Sequence, residues 1–180
     1  MNSLPSVVAL DVETTGLNPC NGDRIVEISL IEIAENETVI DKFSSFINPD
    51  REIPAEVCCI NGITGDMVKT APYFRDVALA IFRFIENKTL LIHNADFDRQ
   101  FLEAEFNRCG MDFPKITGII DTLAIARNYF NFPRNSLSRI AEHYNLNTSG
   151  LHRAEADAML AYRIYREFCK ERPQDRPWEK

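Results

Sequence analysis

Five side chains spread over most of the chain have the types and spacings that metal-assisted hydrolysis needs. They are Asp11 and Glu13 in Asp11-Val-Glu13-Thr-Thr-Gly16, Asp98 in His93-Asn-Ala-Asp-Phe-Asp98, and His152 and Asp157 in His152-Arg-Ala-Glu-Ala-Asp157. Asp11 and Glu13 lie two apart in a short apolar run. A strand alternates its side chains, so both carboxylates face one side while Val8, Leu10 and Val12 face the other. Like charges so placed repel, and burial worsens the repulsion. Hard divalent cations such as Mg²⁺ relieve it, because they prefer carboxylate oxygens. Taken alone, the pair also fits a strand end whose acids face water.

Asp98 follows an apolar run, Thr89 to His93, at the start of a helical pattern. In parallel α/β sheets, functional groups collect beyond the C-terminal strand ends, where Asp11, Glu13 and Asp98 all fall. By itself Asp98 equally fits a first-turn acid on the helix dipole, a role its neighbour Asp96 can also fill. His152 and Asp157 flank the start of the last helical pattern. If both were helical, five steps of about 100° would set them roughly 140° apart. One site can use both only if His152 stands on the loop before the helix. A histidine there can take a proton from water near neutral pH; the plain alternative is a surface loop histidine.

The elements that must position these residues follow from periodicity. Val7 to Val12 reads as a strand, and Ile25 to Ala34 and Thr38 to Ile47 read as a hairpin around Glu35-Asn36-Glu37. Asp50 to Lys69, punctuated by Pro54, Gly62 and Gly65, reads as irregular. A helix is expected over Tyr73 to Ile85, a strand over Thr89 to His93, and a helix from about Phe97 to Arg108 stopped by Gly110. Ile116 to Ile120 reads as a short strand, with Asp121 as the N-cap of the next helix. Further helices are expected over Ser136 to Tyr144 and about Ala154 to Lys170. The order implies an α/β fold: a mixed five-stranded sheet with an antiparallel hairpin and flanking helices. One domain over residues 1–172 and a polar tail over 173–180 is the economical division.

The 180 residues are enough for one sizeable core, and 45% of them are hydrophobic, which excludes general disorder. No apolar run is long enough to span a bilayer, and the first residues lack the pattern of a secretory leader. Five cysteines without a Cys-x-x-Cys pair point to reduced thiols and a cytoplasmic location. The formal charge of −7 argues against a long grip on duplex, which needs a basic face. It leaves room for a small site acting on one strand end.

Asp-x-Glu-Thr-Thr-Gly, His-Asn-Ala-x-Phe-Asp and His-x-Ala-x-x-Asp, in this order, resemble the DEDDh 3′→5′ exonucleases, the family of the bacterial proofreading epsilon subunit and its stand-alone relatives. The similarity runs from about Val7 to Phe168. It implies an RNase H-like fold and two divalent ions, Mg²⁺ or Mn²⁺, held by Asp11, Glu13, Asp98 and Asp157, with His152 as general base. It also implies that Thr14, Thr15, Gly16 and Leu17 hold the terminal nucleotide, with Leu17 packed on a base. Glu56 and Asn61 fall where the epsilon type contacts the nucleotide with a glutamate and a histidine; Asn61 departs from that pattern. Asp121 has a family counterpart and reads as a cap or support, not a ligand. The implied partner is a single-stranded 3′ end, DNA first and RNA second. A DNA polymerase subunit is a further implied partner. Two other readings stand beside this one: an RNase T-like exoribonuclease, and a catalytically idle binding subunit.

Overall fold

A computed structural model describes residues 6–173. The first strand, β1 (Val7–Thr14), runs two residues beyond its apolar stretch. It pairs antiparallel with β2 (Ile25–Ile33), which pairs antiparallel with β3 (Val39–Phe46). The β2–β3 turn closes with the Ala34 amide on the Thr38 carbonyl and Glu37 in the left-handed region, at φ 68°. The stretch expected to be irregular contains two short helices, α1 (Ala55–Asn61) and α2 (Gly65–Val68). No apolar periodicity marks α1, because Asn61 is its only buried residue. Gly62 ends it at φ 70°, which only glycine adopts without strain.

Next come α3 (Phe74–Ile85), β4 (Thr89–Ile92) and α4 (Ala95–Arg108). Then follow β5 (Gly118–Asp121), α5 (Thr122–Tyr129), α6 (Leu137–His143) and α7 (Ala154–Glu171). Strands β1, β4 and β5 are parallel, and the sheet order is β3-β2-β1-β4-β5. The expected mixed five-stranded sheet with its hairpin and covering helices is therefore present. Besides the end of β1, two starts differ by two residues. β5 starts at Gly118, and α4 begins at Ala95, two residues early, which moves Asp98 into its first full turn. Of the expected polar tail, residues 174–180 lie outside the described residues.

Each face of the sheet carries its own core. Val8, Leu10 and Val12 of β1, with Leu90 and Ile92 of β4, pack against Phe74 and Ile81 of α3 and Phe101 and Phe106 of α4. Val7 and Ala9, with Leu91, pack against Ala158, Ala161, Ile164 and Phe168 of α7. Truncating a buried aromatic such as Phe168 to alanine costs about 3–5 kcal/mol. Strand alternation continues the row Val7, Ala9 as Asp11, Glu13, on the face that α7 covers. The apolar packing of α7 thus delivers its first turn to the carboxylate end of β1.

Candidate active site

Asp11 and Glu13 stand at the C-terminal end of β1, and α7 places Asp157 against them. Glu13, His152 and Asp157 form a trio whose ligand-type atoms all lie within 4.8 Å of one another. His152 occupies the loop ahead of α7, in the left-handed conformation at φ 65°. Its amide donates to Asp157 Oδ2 at 3.2 Å. The ring can therefore approach the carboxylates although helical spacing alone would have turned it away. Asp11 and Asp98 lie outside this trio but within its field.

Asp98 is 2% exposed, and its Oδ1 accepts the Val12 amide at 3.0 Å, while Asp96 is exposed. Burial thus separates the two acids, which local spacing left open and only the motif resemblance divided. Asp121 does more than cap α5 through the Leu123 and Ala124 amides: it also accepts the Asn94 and Ala95 amides at the start of α4. One carboxylate thereby ties the ends of β4 and β5 together and fixes the helix that carries Asp98. His93, beside this knot, shares a 2.9 Å hydrogen bond between Nδ1 and Thr122 Oγ1, and burial pushes its pKa down to about 4. It is a neutral structural histidine.

The electrostatics are those of an anionic pocket short of positive charge. Desolvation first, then the charge of Asp157, raises Glu13 to about 7, against a hydrogen bond from Asn61. Desolvation raises Asp157 to about 6, opposed by the His152 amide. Burial, followed by the charges of Asp98, Asp157 and Glu13, holds Asp11 well above the ordinary carboxylate range. Burial also raises Asp98, against the Val12 amide. Asp157 Oδ1 is buried without a hydrogen-bond partner. An orphaned carboxylate oxygen among mutually repelling acids is the donor set that a divalent cation satisfies. The residues present fit a metal.

The residues expected to hold a nucleotide divide. Leu17 is 85% exposed on the turn that follows β1, and Glu56 is exposed on α1. Thr14 and Thr15 are buried, and their hydroxyls hold the turn that carries Leu17. Thr14 Oγ1 donates to the Gly16 carbonyl at 2.6 Å, and Thr15 Oγ1 accepts the Arg24 amide at 3.0 Å. Asn61 is buried: its Oδ1 accepts the Ile63 amide, and its side chain hydrogen-bonds Glu13. In this structure it supports a carboxylate of the site.

Two participants were missed from sequence. Glu27 lies directly opposite Glu13 in the β1–β2 register and is 7% exposed. Arg153 pairs with it at 2.7 Å. The available signal was a lone acid inside the apolar run Ile25-Val-Glu27-Ile-Ser-Leu30. The second is Asp23, which accepts the Asn18 amide and the Arg51 guanidinium beneath the Gly16–Leu17 turn.

The chain matches the Exonuclease family (RNase_T) over residues 8–165. It is 41% identical over 170 residues to the DNA polymerase III subunit epsilon of Rickettsia prowazekii, covering 92% of this chain and 74% of that one. Its fold superposes on an E. coli exonuclease I–ssDNA complex with a TM-score of 0.82 at 19% identity, covering 94% of this chain and 41% of that one. The chain thus spans about two fifths of exonuclease I. Exonuclease X in complex with 5′ overhanging duplex DNA superposes with a TM-score of 0.72 at 23% identity, covering 96% of this chain and 95% of that one.

Proposed function

The chain belongs to the Exonuclease family (RNase_T), and from that premise we propose that it is a 3′→5′ exonuclease acting on DNA ends, releasing nucleoside 5′-monophosphates. The observation that carries the reading is the gathering of Asp11, Glu13, Asp98, His152 and Asp157, from three distant segments, at one end of β1. Four mutually repelling carboxylates would reject a phosphodiester unless cations lay between them.

Asp11, Glu13 and Asp157 would hold one divalent ion, Mg²⁺ or Mn²⁺, and Asp11 with Asp98 would hold a second. When bound, such ions stabilise charge on the phosphate and the leaving 3′ oxygen and make a nearby water more acidic. His152 accepts the proton of the attacking water, a role its place beside Glu13 and Asp157 allows. Hard cations prefer oxygen, which leaves the imidazole to this work. Leu17 packs on the terminal base, the buried Thr14 and Thr15 brace its turn with Gly16, Glu56 contacts the terminal nucleotide, and Asn61 steadies Glu13. Because only the last nucleotides need docking, a chain of charge −7 can act on an anionic polymer.

The likeness to epsilon subunits supports a polymerase subunit as partner, and residues 1–172 are read as one exonuclease domain. A cytoplasmic location follows from a replication role. Among the described residues, no helix is long and apolar enough to cross a membrane.

The test is digestion of 3′-labelled single-stranded DNA, mismatched duplex and short RNA, side by side, with Mg²⁺ and with EDTA. Mononucleotide release from DNA, stopped by EDTA, is expected. Faster cleavage of RNA would transfer the substrate to the exoribonuclease reading. Activity that survives chelation would exclude the two-metal scheme, and inactivity on all three would favour a binding subunit.

A further inference from the structure

We propose that Glu27 and Arg153 form a latch that positions the His152 base against Glu13 and Asp157. The proposal rests on the reading of His152 as the proton acceptor. His152 has left-handed backbone, at φ 65°, which is strained for an L-residue with a Cβ. Such a conformation persists only where neighbouring contacts over-determine it. The residues on either side supply those contacts. On one side the His152 amide is held by Asp157 Oδ2. On the other, Arg153 Nε donates to both Glu27 oxygens, at 3.2 and 3.1 Å, and its Nη2 donates to Oε1 at 2.7 Å. Glu27 Oε2 also accepts the Ala154 amide, one of the orphan donors at the start of α7. The guanidinium lies 5.1 Å from the Phe46 ring centroid, so a third element, β3, braces the fork.

This arrangement has a reason beyond stability. Glu27 faces Glu13 across the β1–β2 pair, where an unneutralised acid would be strongly unfavourable. Arg153 neutralises it, and in doing so the chain is pulled back to the sheet one residue after His152. The two glutamates therefore divide the work: Glu13 faces the site, and Glu27 anchors the loop that brings the histidine to it. With both Nε and Nη2 committed to Glu27, Arg153 acts as a positioning residue and not as a phosphate contact.

The test uses R153A, R153K and E27Q. The Arg153 side chain is about half exposed, so R153A should fold; E27Q keeps the shape of the carboxyl. Steady-state digestion of a 3′-labelled oligonucleotide is combined with histidine ring NMR of the metal-free protein, in which only His93, His143 and His152 report. In R153A, kcat should fall about 10- to 100-fold with KM within about twofold, as expected for a displaced catalytic group. The His152 ring signals should shift or broaden while those of His93 hold. R153K, which keeps the charge and loses the fork, should stay within about threefold of R153A. The double variant H152A/R153A should be no slower than H152A, since a latch has nothing to position once the base is gone. Unchanged kcat with unmoved His152 signals would overturn the latch. So would a rise in KM alone, which would make Arg153 a substrate contact, or strictly additive losses. If H152A itself retained normal kcat, the base assignment would fall, while the NMR signals would still report whether Arg153 fixes the loop.

Discussion

Asp98 Oδ1 accepts the amide of Val12 at 3.0 Å, so a helical acid grips the strand residue that separates Asp11 from Glu13. One carboxylate is thereby both a charge of the site and a fastener between α4 and β1. The two roles respond differently to substitution. D98N keeps an acceptor for Val12 and removes a buried charge that burial and Glu13 disfavour. Its melting temperature in EDTA should equal or exceed that of the parent, while exonuclease activity drops by about 100-fold or more. D98A leaves the Val12 amide unsatisfied and should cost about 1–3 kcal/mol in denaturant unfolding as well. A D98N variant with near-parental activity would remove Asp98 from the mechanism.

Stability without metal should fall as pH rises. The folded-state pKa of Glu13 is raised from 4.5 to about 7 and that of Asp157 from 3.8 to about 6, so between these limits the folded protein binds more protons than the unfolded chain. The stabilisation is fully present below the unfolded pKa values and is lost as pH climbs through the folded ones. For Glu13 alone this is on the order of 3 kcal/mol. Thermal unfolding in EDTA should therefore show a lower midpoint at pH 8 than at pH 5. Mg²⁺ should raise the midpoint at pH 8 far more than at pH 5, because ligands must lose their protons to bind it. Equal midpoints at both pH values in EDTA would contradict the buried-repulsion account.

The left-handed backbone at His152 predicts a separation of activity from stability. H152A and H152G both remove the proposed base and should lose activity about 10²- to 10⁴-fold. Glycine adopts positive φ freely and alanine does not. H152G should therefore be about 1 kcal/mol more stable than H152A, a reversal of the usual order of these two residues. Urea titration of the pair decides it.

Gly16 has no room for a side chain, because an added Cβ would overlap the Asp23 carboxylate. That carboxylate holds the Asn18 amide at 3.1 Å and Arg51 at 3.0 Å beneath the turn that presents Leu17. G16A should destabilise by about 1–3 kcal/mol through overpacking. It should raise KM for a 3′ end more than it lowers kcat, as expected if the turn serves binding, the role proposed for Leu17. D23A makes room for the methyl group, so the double variant should lose less than the sum of the single losses. Additive effects would show that the two positions do not share the turn.

Much of the architecture was legible because it rests on local periodicity. The alternation of β1 put Asp11 and Glu13 on one face, the hairpin followed from β-branched runs around a polar turn, and α7 followed from Leu160, Ile164 and Phe168. Helix α1 was missed because it buries almost nothing, and a helix without an apolar face leaves no periodic trace. Glu27 carries no local signal beyond being a lone acid in an apolar strand. Only the β1–β2 register sets it opposite Glu13, and only the fold of a segment more than a hundred residues later brings Arg153 to it.

The sequence by itself determined the chemistry on offer: the candidate carboxylates and histidine, their order along the chain, and the requirement that His152 precede the helix if it is to share a site with Asp157. Tertiary structure decided which of the acids Asp96 and Asp98 is buried, that Asn61 turns toward Glu13, and that Asp121 clamps two helices at once. These outcomes depend on desolvation and on hydrogen bonds between segments remote in the chain. Such energies arise only when packing excludes water and fixes distances of about 3 Å, and no spacing along a sequence encodes that.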